Sequence, residues 1–287
     1  MRYLRTLSFS LILGGISLNA QAALTRYSSQ GVELVYSSLG DVTWTRDGNL
    51  FGTLVTQYAA AHDGDAGGLI ADIKNANVYD GRPGLIYHPY YGGRPLGDAD
   101  FVSDGRLSWW GAQAFVTYLN AIDYAGSKQW RLPGIVDTGE PGCVFARAGG
   151  DCGYNIDTST GELGRLYYDE LGLKARVSPA PWIIVDEGTG IFGNYGVQTE
   201  SGDVGPFTNA RSYGYWSDNE LVRYEIGYAW MFYAEYGYQH YEDKTVPFYA
   251  WVVSSGQIPA VPLPGTIWMM GSGLLGLLGL KRRRGAG

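Results

Sequence analysis

The sequence predicts a single α+β domain with an antiparallel sheet, two or three helices and long loops, followed by a C-terminal transmembrane helix. Three observations carry this reading. Apolar residues alternate with period two near both ends of the body, which is the signature of half-buried strands. Between them, apolar residues recur at helical spacing in several runs. Both chain ends pair basic residues with an uncharged apolar segment.

The N-terminus reads as an export signal. Arg2 and Arg5 form a basic region, Leu7–Leu18 is apolar, and Ala20-Gln21-Ala22 is an A-x-A site that places the cut between Ala22 and Ala23. Residues 1–22 therefore stand outside the fold, as does the C-terminal tail over 257–287. The body, 23–256, is of a size for one large domain.

Within the body, Val32, Leu34 and Tyr36 alternate, and Val42 and Trp44 resume the pattern after Leu39-Gly40-Asp41, so a β-hairpin is expected over Gly31–Trp44. Asp47 is placed to cap a helix with Leu50, Phe51, Leu54, Val55 and Tyr58 on one face. Residues 62–104 are punctuated by Asp63-Gly64-Asp65, Gly67-Gly68, Arg82-Pro83-Gly84 and Gly92-Gly93, and read as a loop-rich insertion with short strands around Leu69–Ile73 and Leu85–Tyr87. Ser108 caps the next helix, Trp109–Ile122, whose stripe is Ala112, Phe115, Val116 and Leu119. Another helix holds Leu163, Leu166, Tyr167 and Leu171 and stops at Gly172. Pro179–Pro206 reads as a loop or an irregular strand region. Gly227–Ser254 reads as a closing meander in which Tyr228-Ala229-Trp230 and Tyr249-Ala250-Trp251 are similar strands of one sheet.

Two cysteines occur, Cys143 and Cys152, with eight residues between them in an exported chain, and a disulfide between them is expected. Neither has a histidine near it in sequence, which argues against a reactive or metal-binding pair. Six of the 21 Lys and Arg lie in the two targeting ends and none of the 28 Asp and Glu do, so the exported body has a net charge of −13. Such a body does not bind nucleic acid through bulk electrostatics.

The tail begins with Val261-Pro262-Leu263-Pro264-Gly265. The prolines keep this motif out of a helix. Ile267–Leu280 follows without a charge and spans roughly 21 Å as a helix, short of a hydrocarbon core of about 30 Å. Lys281, Arg282, Arg283 and Arg284 form a basic stop on the cytoplasmic side. This arrangement resembles the PEP-CTERM sorting signal of Gram-negative, exopolysaccharide-producing bacteria. Leu263 stands where the family's naming motif has Glu, which makes this the V-P-x-P-G form. The resemblance implies processing by an exosortase, transient anchoring in the inner membrane, and then location at the cell surface or outside the cell. The alternative is an uncleaved, periplasm-facing anchor.

The body resembles a second family. The residues that carry this are Asp41-Val42-Thr43-Trp44, Leu107-Ser108-Trp109-Trp110-Gly111-Ala112, Trp130-Arg131-Leu132-Pro133, and Glu162-Leu163-Gly164-Arg165-Leu166-Tyr167-Tyr168. They are similar to those of the legionella collagen-like protein C-terminal (Lcl_C) domain. That resemblance implies a C-type-lectin-like or formylglycine-generating-enzyme-like fold, with its early strand near Val32–Trp44 close to the last strand, Phe248–Val253. Trp130 and Leu132 read as core, Arg131 as a donor to loop carbonyls or a carboxylate, and Pro133 as a fixed exit.

Little in the sequence reads as chemistry. His62, His88 and His240 show no metal-ligand spacing, and no nucleophile elbow or phosphate loop occurs. Asp63-Gly64-Asp65 and Asp98-Ala99-Asp100 supply oxygen ligands of the kind calcium takes, but neither completes an EF-hand loop. No catalytic residue, metal or cofactor is expected. The formylglycine-generating alternative would require a free thiol at Cys143 or Cys152. Tyr233, Tyr236, Tyr238 and Tyr241 cluster around one turn, and phenol rings suit sugar stacking and interfaces. They are the candidate ligand aromatics, with exopolysaccharide or a surface protein as partner.

Overall fold

A computed structural model describes residues 24–88, 92–138, 150–178, 201–221 and 227–260. Strand β1 (Leu24–Ser29) turns through Gln30-Gly31 into β2 (Val32–Ser37). Both turn residues have positive φ, 50° and 81°, the combination a tight two-residue hairpin requires. β2 pairs with β3 (Val42–Thr45), which is the hairpin expected from the alternation. β1 shows no such alternation and is an addition to that reading.

Helix α1 (Leu50–Ala61) is capped by Asn49, whose side chain accepts from Gly52 N at 3.3 Å. Asp47 is not the cap. Its carboxylate accepts from Asn49 N at 2.8 Å and from the Thr53 hydroxyl at 2.5 Å, and so braces the cap residue. The insertion holds helix α2 (Gly67–Ala76), where a strand over Leu69–Ile73 was expected. Leu69 and Ile73 lie one helical turn apart and both are buried. Strands β4 (Val78–Tyr79) and β5 (Arg82–Pro83) form one small hairpin, and β6 (Leu85–His88) and β7 (Gly92–Pro95) another.

Helix α3 (Trp109–Ala121) starts at Ser108, whose hydroxyl accepts from Gly111 N at 3.0 Å, as expected. Strands β8 (Trp130–Arg131) and β9 (Gly153–Tyr154) are short. Helix α4 (Glu162–Arg165) continues as a π-helical turn over Leu166–Glu170, and the chain reverses at Gly172 with φ 65°. Then come β10 (Ser201–Val204), β11 (Phe207–Arg211), β12 (Gly214–Glu220), β13 (Tyr228–Tyr233), β14 (Tyr238–Asp243) and β15 (Val253–Ser255).

Two larger sheets result, with strand orders β1-β2-β3-β15-β8 and β12-β13-β14-β9, all paired antiparallel. The first joins both ends of the body: Val253 lies opposite Trp44. The closing segment is therefore not one meander. Phe248–Val252 runs between the sheets, bridging Leu107 at Phe248 and Tyr215 at Tyr249, and only Val253–Ser255 is a strand. Tyr249-Ala250-Trp251 thus does not share a sheet with Tyr228-Ala229-Trp230.

Period-two alternation puts a core on each face of the first sheet. Leu34 faces the helices and packs with Phe51, Phe115, Leu119 and Trp130. Its neighbour Val35 faces the other way, with Trp44, Trp251, Phe207 and Tyr167. Trp44, Phe207 and Trp251 meet edge to face, with ring centroids 4.8–6.5 Å apart. The buried indoles of Trp109, Trp130, Trp216 and Trp251 each donate to a backbone carbonyl at 2.8–3.0 Å. No helix among the described residues is long and apolar enough to cross a membrane, and segment 267–280 lies outside them.

Candidate functional site

The tyrosine cluster forms at the turn between β13 and β14. Register pairs Tyr233 with Tyr238, and their ring centroids are 5.0 Å apart. Tyr236, within the turn, lies 6.0 Å from both. The turn closes at Gly237, φ 65°, where the Tyr167 ring approaches to 2.8 Å of the place a Cβ would take. Tyr241 does not join. It is three residues beyond Tyr238, so the pleat turns it to the opposite face, against Tyr228 and Trp230. Its place is taken by Tyr154 of β9, which pairs with Tyr238 at 5.1 Å. The Arg176 guanidinium stands 5.5 Å over the Tyr236 ring, and Arg176 N donates to the Tyr236 carbonyl.

Tyr154, Tyr233, Tyr236 and Tyr238 are all half-buried. Burial, reinforced by neighbouring phenols and glutamates, pushes the Tyr233 and Tyr238 hydroxyls well above their ordinary range. They remain neutral donors and acceptors at any physiological pH. Because the rings pack on one another, the cluster offers ring edges and hydroxyls more than open faces.

Trp130 and Leu132 are buried in the core, as expected. Arg131 makes a two-pronged pair with Glu162, at 2.6 and 2.7 Å, and also reaches the Leu132 carbonyl. Glu162 accepts in addition from Gly134 N, just after Pro133. Hydrogen bonding to Glu162 holds the Arg131 guanidinium above its ordinary range. The pair borders a cleft of about 410 Å³ shared with Arg165, Asp218 and Asn219. Its charges answer one another, so it ties β8 to α4.

A further cluster surrounds Trp110. Arg94 lies 5.2 Å and Lys244 4.8 Å from its ring, and the His88 ring 5.0 Å away. Lys244 pairs with Glu220 at 2.9 Å, and Arg94 with Asp100. Burial and the Lys244 charge push His88 down, which keeps its imidazole neutral. Of the aspartates weighed as calcium ligands, Asp98 pairs with Lys74, and Asp100 is surrounded by four donors. Among the described residues, no three His, Cys, Asp or Glu are grouped to hold a metal ion.

Cys143 lies outside the described residues. Cys152 Sγ lies 3.7 Å from His240 Nδ1 and 3.5 Å from the Gln239 carbonyl, and no free cysteine stands among the described residues. The sequence placed no histidine near it; strand pairing of β9 with β14 brings His240 there. Ala22, Ala23, the motif Val261–Gly265 and the stop Lys281–Arg284 also lie outside the described residues.

Compared with known families, residues 260–284 match the PEP-CTERM protein-sorting motif. That motif implies export, sorting to the cell surface and processing by an exosortase. No curated protein matches the chain, and no solved structure does. Nothing in these comparisons bears out the Lcl_C resemblance or the lectin-like fold of the body.

Proposed function

We propose that this chain is a non-enzymatic cell-surface or matrix protein, held in the inner membrane by 267–280 until an exosortase acts at Val261–Gly265. The match at residues 260–284 carries this reading. Replacing Pro262 and Pro264 by Ala tests it. The double variant should stay in the membrane fraction as a longer form, and release as efficient as wild type would refute the motif's role.

The body, read as lectin-like, binds exopolysaccharide through the hydroxyl-rich edge formed by Tyr154, Tyr233, Tyr236 and Tyr238. Support comes from four half-buried phenols gathered from two distant stretches at one turn. On a glycan array, Tyr236→Ala and Tyr238→Ala should each weaken binding. Binding to a surface protein but to no glycan would redirect the reading.

Cys143 and Cys152 form a disulfide in this proposal. The competing reading, an enzyme of the formylglycine-generating type, draws on the nearness of His240 to Cys152. A thiol titration of the native exported protein separates the two, since the enzyme requires a free thiol.

A further inference from the structure

The last described residues are bound to the first ones. Gly256 N donates to the Asp41 carbonyl at 2.8 Å. The Thr43 hydroxyl donates to the Gly256 carbonyl at 2.8 Å, accepts from Ile258 N at 3.3 Å, and lies 2.9 Å from the Tyr27 hydroxyl. The Ser29 hydroxyl donates to the Pro259 carbonyl at 2.9 Å. Ser29 and Thr43 are fully buried. Ile258 is 4% exposed and sits in the helix-side core. Strands β1 and β3 and the loop between β2 and β3 thus supply every one of these hydrogen-bonding partners.

This grip ends at Pro259, and the matched sorting motif begins at residue 260. No slack separates folded body from motif. Even fully extended, the chain carries Val261 only about 7 Å, and Gly265 about 22 Å, from Pro259. An enzyme that holds this proline-containing segment does so in extended form. A layer of protein beside an extended chain needs about 10 Å. The body therefore crowds the near end of the motif while Gly256–Pro259 remain bound. Releasing those four residues adds about 14 Å of reach.

We infer that Ser29, Thr43 and Ile258 clasp the stem of the sorting motif onto the first sheet, and that opening of this clasp limits how fast the membrane-embedded processing enzyme engages the motif. The inference rests on the exosortase reading above. These three are positioning residues, acting through the stem.

The test is pulse-chase conversion of the full-length precursor to the processed form in cells that carry the enzyme. Thr43→Val removes the hub hydroxyl and should shorten precursor half-life by roughly fivefold, the change in open population expected from losing one buried hydrogen-bonding group. Thr43→Ser keeps the hydroxyl and should process like wild type, an outcome that general destabilisation would not give. A flexible twelve-residue Gly/Ser insertion between Pro259 and Ala260 leaves the body untouched. It should accelerate processing and erase the difference between wild type and Thr43→Val. Unchanged or slower processing in the insertion variant overturns the inference. If Pro262→Ala/Pro264→Ala is retained while the insertion has no effect, the sorting reading stands and the clasp alone fails. If that double variant is processed normally, the sorting reading falls and the clasp's role falls with it.

Discussion

Asp100 is the most heavily bonded carboxylate in the insertion, and its removal tests how the insertion is fastened. Its two oxygens accept from Arg94 Nη2 at 2.9 Å, Arg94 Nη1 at 3.0 Å, Gly97 N at 2.8 Å and the Ser108 hydroxyl at 2.5 Å. Ser108 is also the cap of α3, so one carboxylate joins the insertion to the central helix. Breaking a buried pair by removing one partner costs about 3–5 kcal/mol. The Asp100 side chain is 4% exposed but that of Arg94 is 28% exposed, and water recovers part of the loss at Arg94. We therefore expect Asp100→Ala to lose about 2–4 kcal/mol at pH 7. Burial alone would raise the Asp100 pKa; hydrogen bonds from Arg94, Ser108 and Gly97 together with the Arg94 charge outweigh it, and the net direction is down from 3.8. A carboxylate depressed in the folded state contributes stability that is complete above its unfolded pKa and is lost as pH falls through the folded one. The gap between wild type and Asp100→Ala should accordingly be constant above about pH 5 and narrow below pH 3.8. Urea unfolding followed by tryptophan fluorescence at a series of pH values measures it. A loss under about 1 kcal/mol at pH 7, or a gap that does not change on acidification, would refute the assigned role.

A backbone position and the cysteine pair give two further outcomes. Gly237→Ala places a Cβ at φ 65° and 2.8 Å from the Tyr167 ring, and should destabilise by about 1–3 kcal/mol, read as a lowered urea midpoint. Reduction of the native protein should lower stability by about 2–3 kcal/mol if Cys143 and Cys152 are joined across their short loop, and a titration before reduction should find no thiol; an unchanged midpoint would speak against the bond.

Local pattern made part of the fold legible. The β2–β3 hairpin, α1 and α3 follow from alternation, helical spacing and, for α3, the Ser108 cap. Helix α2 was hidden because Gly67-Gly68 reads as a turn. In the fold, the Tyr58 ring of α1 closes over Gly68 at the start of α2. Closeness in sequence groups Tyr241 with the other tyrosines, but its odd spacing from Tyr238 on a strand puts it on the other face. Tyr154 and His240 were out of reach, because each finds its neighbours through the β9–β14 register rather than along the chain. The same holds for the clasp, whose Ser29–Pro259 bond joins residues 230 apart. Nonlocal pairing of this kind leaves no periodic trace in a sequence.

Intact mass of the mature protein recovered from the surface of its own cells tests the central claim most directly. Processing at the motif predicts a chain that begins at Ala23 and lacks 267–287, with its end within or next to Val261–Gly265. A mature protein that still carries Arg282-Arg283-Arg284 would contradict it.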